Sequence, residues 1–488
     1  MGRQAASTQT APRRKLPGVA LMDFLIVLGA LVFLMLVAYR GYSVILFAPV
    51  AALGAVLLTD PQLVAPMFTG LFMDKMVGFL KLYFPVFLLG ALFGKVIELS
   101  GFSKAIVAAT IKVVGAQRAM LSIVIVCALL TYGGVSLFVV VFAVYPFAAE
   151  LFRQSNIPKR LIPGTIALGA FTFTMDALPG TPQIQNIIPT TFFGTDTWAA
   201  PVLGTLGGIF ILILGLLYLD WRRRAAAKAG EGYGDPATLL NEPAPFSESK
   251  LPNAFIAVLP LLVVGVVNKL LTMWIPGLYG DSHSFVPAVI GNAAPVVQDV
   301  AKISAIWAVL GALLAGIVCV LVFAWKPVTR QFAEGSKSAI GGSMLAGMNT
   351  ASEYGFGAVI AALPGFLVVA NALGSIPNPL VNEAVTVTAL AGITGSASGG
   401  MSIALAAMAE TFIANANAAG IPMEVLHRVA SMASGGMDTL PHNGAVITLL
   451  AVTGLTHRQA YKDIFAVTII KTMAVFVIIG LFYAFGIV

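Results

Sequence analysis

The chain has 488 residues, of which 58% are hydrophobic and only 10% charged, and its mean hydropathy is +0.93. A soluble domain carries about 25% charged residues, so water is excluded as the main solvent of this surface and lipid takes its place. The net charge of +7 reads as basic residues gathered on cytoplasmic loops, not as a nucleic-acid footprint, because the aromatic residues do not interleave with a basic stripe.

Residues 1–17 form a polar tail carrying Arg13, Arg14 and Lys15. The apolar stretch behind it is too long for a signal-peptide core and no small-residue cleavage site closes it, so a first spanning helix with a cytoplasmic N-terminus is expected. Spans are expected near 18–39, 43–59, 79–98 and 102–116. A re-entrant hairpin follows at 118–152, entering from the cytoplasm and turning at Thr131–Gly134. Then come a broken span at 161–193 and a span at 199–219, completing a first membrane repeat over 18–219. Polar residues 220–251, with Trp221-Arg222-Arg223-Arg224 near their start, read as a cytoplasmic linker. The second repeat, 252–488, is expected to span 252–275, 303–325 and 354–373. Its hairpin at 385–416 enters from the periplasm and turns at Gly395–Gly400; a broken span at 425–455 and a last span at 465–487 close the chain. The expectation is an all-α polytopic protein of the bacterial inner membrane, with about eleven spans and two hairpins.

The halves share landmarks in one order. Met175-Asp176-Ala177-Leu178-Pro179 answers Met437-Asp438-Thr439-Leu440-Pro441, and Ile157-Pro158 answers Ile421-Pro422. Gly133-Gly134 with Ser136 answers Gly399-Gly400 with Ser402, and Gly101-Phe102 is matched to Gly355-Phe356. The loop with Arg153, Lys159 and Arg160 looks cytoplasmic, whereas its counterpart with Glu424, His427 and Arg428 does not, so the repeats are expected to be inverted, as in secondary transporters. Cys127 and Cys319 stand singly in apolar runs and make neither a disulfide framework nor a zinc site. No HExxH, P-loop or helix-opening GxGxxG is present, and no metal, cofactor or catalytic residue is expected.

Non-helical backbone at membrane depth survives only in protein or beside a wet cavity, so the Gly- and Pro-rich interruptions point to a binding site. At the hairpin tips, Thr131, Gly133, Gly134 and Ser136, and Ser396, Ser398, Gly399, Gly400 and Ser402, offer hydroxyls and free N–H groups at a helix start, an anion site; packing of helices through small residues is the plain alternative. At the broken spans, Thr174, Gly180, Thr181 and Gln183 in the first, and His442 and Asn443 in the second, are candidate substrate ligands, with Gln185 and Asn186 able to bond substrate hydroxyls. Asp176 and Asp438 sit beside the breaks, where a carboxylate is costly and functional by default; they and His442 are the candidate proton carriers, and each aspartate could instead cap the restarting half-helix. Glu353 and Glu410 lie in apolar surroundings and carry less weight. No Lys or Arg stands in the sequence of any of the four breaks, which favours an acid with one carboxylate.

Three runs carry a family resemblance: Gly133-Gly134-Val135 through Tyr145-Pro146; Asn156-Ile157-Pro158-Lys159-Arg160 through Pro163-Gly164; and Ala167-Leu168-Gly169-Ala170-Phe171-Thr172-Phe173-Thr174-Met175 running to Leu178-Pro179-Gly180-Thr181-Pro182-Gln183-Ile184-Gln185-Asn186. In these the chain resembles the gluconate permease family, within the ion transporter superfamily. The stretch Ala38-Tyr39-Arg40-Gly41-Tyr42-Ser43 is similar to the branch labelled D-beta-hydroxybutyrate permease. The resemblance implies proton-coupled import of gluconate or a related small hydroxy acid, a homodimer with a scaffold and a moving transport unit, and an elevator-like mechanism. The Ser-Asn-Thr signatures of the sodium-dicarboxylate branch are missing from both hairpin tips. Sodium-coupled organic anion symport is the near rival. An intramembrane aspartyl protease, built on two buried aspartates sharing a proton, is the rival from another class, and its Gly-x-Gly-Asp setting is absent.

Overall fold

The computed structural model describes residues 17–40, 42–115, 118–135, 137–236, 238–243, 251–286, 294–368, 376–441 and 443–488. Ser136 and His442 therefore lie outside the described residues. The first half contains α1 (Pro17–Tyr39), α2 (Val44–Thr59), α3 (Pro61–Leu99), α4 (Phe102–Val114), α5 (Ala119–Tyr132), α6 (Leu137–Gln154), α7 (Ile162–Ala170), α8 (Phe173–Asp176), α9 (Ile184–Phe193) and α10 (Pro201–Lys228). The second contains α11 (Ala254–Tyr279), α12 (Val300–Ala362), α13 (Pro379–Thr394), α14 (Ala397–Ala418), α15 (Met423–Ser434), α16 (Gly444–Thr453) and α17 (His457–Phe485).

Helix dominates because a chain in lipid must bond every backbone N–H and C=O within itself. α3, α10, α11, α12, α14 and α17 are each long and apolar enough to cross a membrane. Shorter apolar segments lie in α1, α2, α5 and α16, and the total of about eleven spans requires counting such segments and each pair of half-helices. Large apolar side chains stand outward on several helices, among them Leu25 on α1, Leu217 on α10, Leu262 on α11 and Val322 on α12. In water such a face would drive association; against acyl chains it is matched to its solvent.

Several expectations are corrected. The span expected at 354–373 begins earlier: helix follows on from the first expected span, 303–325, past a kink at Ala324, where the backbone is non-helical (φ −134°, ψ 36°). Pro327 is the cause: it has no N–H and its ring crowds the carbonyl four residues earlier. α3 begins at Pro61 rather than near 79, opening with a turn whose Gln62 N–H is capped by Asp60 and passing through a π-helical stretch at Met67–Phe72. The all-α expectation holds for the membrane part, and one small antiparallel hairpin, β1 (Ser282–Phe285) paired with β2 (Val296–Asp299), lies between α11 and α12. Gly355 is buried inside α12, whereas Gly101 turns the chain between α3 and α4 at φ 77°. Gly365-Phe366, at the turn that ends α12, occupies the place equivalent to Gly101-Phe102.

From the hairpin onward both halves follow one order: a hairpin (α5–α6 and α13–α14), a broken span (α7–α9 and α15–α16) and a long terminal helix (α10 and α17). The broken spans run antiparallel. Where the first ends, Thr195 Oγ1 lies 2.7 Å from His427 Nδ1 and Arg428 Nη2 donates to Ala199 O at 2.7 Å, both at the start of the second. Where the first starts, Lys159 Nζ donates to Leu240 O at 2.6 Å, and Leu240 also packs on Gly454, just past the end of the second. The polar segment after α10 forms this meeting point. Asn241 Nδ2 donates to Ala451 O (2.7 Å) while Tyr145 OH donates to Asn241 O (2.8 Å), so the segment bonds both halves at one end of the broken spans. Arg160 adds a two-pronged ion pair with Glu231, and Asp463 accepts from Arg222 Nε (2.6 Å) and Arg160 Nη1 (3.3 Å).

Candidate functional site

Each hairpin tip is tied to the break of its own half. Gln183 Nε2 donates to Thr131 O at 2.7 Å, and Tyr132 OH donates to Pro179 O at 2.8 Å. Asn443 Nδ2 donates to Gly395 O at 2.7 Å in the second half. These bonds set both tips at the level of the breaks, the depth a re-entrant hairpin reaches. The tip glycines have a mechanical reason. Gly134 takes φ 94°, a left-handed conformation that glycine adopts without a Cβ clash. A Cβ on Gly400 would strike the backbone of Ala391 in the facing arm, so this glycine serves close packing of α13 on α14 rather than an open ligand site.

Other sequence candidates divide in the same way. Thr174 Oγ1 donates to Gly169 O, and Thr181 Oγ1 to Thr174 O (2.8 and 2.9 Å), bridging the carbonyls freed where α7 stops. Gly180 lies under the Trp198 ring with its N–H on Thr197 O. Ser396 Oγ caps α14 at the Gly399 N–H (3.0 Å), and Ser398 Oγ meets Thr350 Oγ1 at 3.2 Å. Buried oxygens left without a hydrogen-bond partner include Thr131 Oγ1, Gln185 Oε1, Ser402 Oγ, Ser352 Oγ, Glu353 Oε2 and Asp176 Oδ2. A buried polar atom in that state calls for a ligand, a proton or water.

The breaks cross at the aspartates. Asp176 Oδ2 lies against Gly435, where any side chain would collide with it. Asp438 is paired with Lys471 of α17, and the same ammonium donates to Phe171 O, a carbonyl freed at the end of α7, at 3.1 Å. Lys471 is 2% exposed and Asp438 4%. The expectation that no basic group serves the breaks is therefore corrected: Lys471 enters from the last helix. Arg428 enters as well. Expected on a periplasmic loop, it is 0% exposed inside α15 and donates to Asp176 O (3.1 Å), Asn186 Oδ1 (3.0 Å) and Ala199 O. Ser431 Oγ donates to the same Asp176 O at 2.7 Å. The signal for Lys471 was in the sequence as one cation among Ile469, Ile470, Thr472 and Met473, which at membrane depth is a functional candidate in its own right.

The aspartates are not caps. The restarting half-helix α16 is capped by Asn443, whose Oδ1 accepts from Val446 N at 2.9 Å, and α9 follows Gln183 without a side-chain cap. The two carboxyls are not hydrogen-bonded to one another: Asp438 bonds Lys471, and Asp176 Oδ2 has no hydrogen-bond partner among the described residues. The arrangement instead holds two carboxyl groups between two unwound segments, with one ammonium that bonds Asp438 and the Phe171 carbonyl, a buried ion pair beside an unpartnered carboxyl oxygen. A surface hollow lined by Arg118, Met120, Ile157, Ile213 and Arg223 lies apart from it.

No known family's sequence profile matches the chain. The chain is similar to the crystal structure of the Alcanivorax borkumensis YdaH transporter at 15% identity and a TM-score of 0.46, over 96% of this chain and 99% of that one. A likeness that loose carries no argument. The chain is also 58% identical, over 476 residues, to YxjC of Bacillus subtilis (strain 168), which is named an uncharacterized transporter; the match covers 96% of this chain and 100% of the relative. With two antiparallel broken helices crossing at a buried ion pair and that degree of identity end to end, the chain belongs to the transporter family of YxjC.

Proposed function

We propose that the protein is a secondary active importer of a small hydroxy monocarboxylate, of gluconate or 3-hydroxybutyrate type, driven by proton symport. The observation that carries this reading is the position of Lys471, bonded at once to the Asp438 carboxylate and to the broken end of α7. A proton delivered to Asp438 releases the ammonium, and the substrate carboxylate takes the vacated place. The anion and the proton then travel together, because an unpaired charge at that depth is costly. Asp176, whose Oδ2 has no donor, is the neighbouring carboxyl through which the proton can pass. Thr131 and Ser402, each with an unpartnered hydroxyl oxygen, suit the hydroxyl groups of such a substrate.

The resemblance to gluconate permeases supports the substrate class and, with it, a homodimer and an elevator-like movement of hairpins and broken spans against the long arms. Charge supports an orientation with that end in the cytoplasm: Arg153, Lys159, Arg160, Arg222, Arg223, Arg224 and Lys228 gather where the linker meets the broken spans. Sodium coupling is the second reading, since a cation could equally occupy the space beside Asp176 Oδ2.

The test is uptake of labelled gluconate and 3-hydroxybutyrate into proteoliposomes with an imposed pH gradient. Accumulation driven by inward protons without sodium supports the reading. A strict sodium requirement replaces the coupling ion, and transport of neither acid removes the substrate class.

A further inference from the structure

Away from the crossing, a second carboxyl is built into the tip of the second hairpin. Glu353, on α12, is 3% exposed, and its Oε2 has no hydrogen-bond partner. It reaches across to the start of α14 and fills the space over Gly399, the position where a Cβ would collide with Glu353 Oε2. Ser396 Oγ, which accepts from the Gly399 N–H, lies in the same niche. Gly399 is thus glycine because a glutamate side chain occupies its place.

The surroundings act on the two charge states of Glu353 in opposite directions. The N-terminus of α14, a helix of 22 residues, and the Ser396 hydroxyl favour a carboxylate. Burial at membrane depth with one oxygen unpaired favours the neutral acid. The elements packed on this part of α12 bring no described charge to the carboxyl. α14 presents Ser396, Ser398 and Gly399, the π-helical stretch of α3 presents Phe72 against Gly355, and Tyr354 on α12 itself packs against Phe79 and Phe192. A metal cation suits the niche poorly, because the free N–H groups of a helix start carry partial positive charge. The cation that fits is a proton.

We propose that Glu353 is a second proton-carrying group, on the second hairpin and separate from the Asp176–Asp438–Lys471 crossing. It takes its proton when the tip opens and holds it while the tip is closed. Resting on the symport reading above, this means that two protons accompany one monocarboxylate, so each import cycle moves one net positive charge inward.

The experiment compares wild-type protein, Glu353→Gln and Glu353→Asp in proteoliposomes with a pH gradient and a superimposed potassium–valinomycin potential. A tenfold potassium gradient, inside negative, should raise wild-type accumulation about tenfold for one net charge. Glu353→Gln should still accumulate substrate from the pH gradient but lose that response, and Glu353→Asp should restore it at least in part. An unchanged response in Glu353→Gln would overturn the proposal. A second readout needs neither substrate nor variant: wild-type protein is treated with dicyclohexylcarbodiimide, which attacks protonated buried carboxyls, and the adduct is mapped by mass spectrometry. Labelling of Glu353 that disappears as pH rises supports a titrating group even if neither labelled acid is transported; an adduct absent at every pH, or independent of pH, refutes it.

Discussion

Replacing Lys471 with methionine removes the one ammonium at the crossing while keeping the length of the side chain. Asp438 is then left charged, 4% exposed, and without its partner. Breaking a buried pair from one side costs about 3–5 kcal/mol, and the Phe171 carbonyl, deprived of its 3.1 Å donor, adds about 1 kcal/mol. The expected loss is about 4–6 kcal/mol, a large part of the stability of a membrane domain on the usual scale. Changing both partners, Lys471→Met with Asp438→Asn, leaves a neutral pair and should cost only about 1–2 kcal/mol. The assay is a double-mutant cycle from denaturant unfolding in detergent micelles, read by tryptophan fluorescence. A single variant within about 1 kcal/mol of wild type, or a double variant as damaged as the single, would show that the pair is not a coupled buried unit.

Asp176→Asn should leave the protein inserted and able to exchange substrate across the membrane while abolishing accumulation against a gradient; counterflow and net uptake measured side by side distinguish these. Gly435→Ala should reduce transport to background, since its Cβ would occupy the site of Asp176 Oδ2; near-normal uptake would mean that the crossing is looser than described. Glu231→Gln tests the membrane-external pair. The Arg160 guanidinium holds the Glu231 carboxyl below its ordinary range, so its stabilisation is present above that range and is lost as pH falls through the lowered value. With both partners partly exposed, the loss should stay below about 1 kcal/mol, visible as a flatter acid limb in a plot of unfolding midpoint against pH.

The unwound segments were legible because Pro and Gly act locally: Pro179 and Pro182, or Pro441 between Gly436 and Gly444, stop a helix whatever surrounds them. The hairpins were legible for the same reason, and the shared Met-Asp-x-Leu-Pro showed that the breaks belong together. What stayed hidden depends on neighbours in space. Arg428 looks like a loop cation until α15 carries it against Ala199 and Asn186. Lys471 is distant in sequence from Asp176 and reaches the first break only because α17 packs against α7. The helical stretch from Lys326 to Ser352 was missed because its polarity suggests a loop, and only its continuity with α12 reveals an arm. Glu383 is fully buried with both carboxylate oxygens unpartnered, a position its surroundings in sequence do not announce.

The polar segment after α10 lies between the two halves of the chain in sequence yet joins them in space. Its residues 231–242 bond Arg160 and Lys159 on one side and Ala451 on the other. A gene divided in two will therefore give halves that recombine best when the cut falls after residue 243, so that the first fragment retains its whole grip on the second. A cut just after α10 hands the strap to the second fragment and strips the first of a covalent tether it uses as a clasp. The stretch that reads as a connector is thus a structural member of both halves, and cutting it is a change in packing as well as in chain continuity.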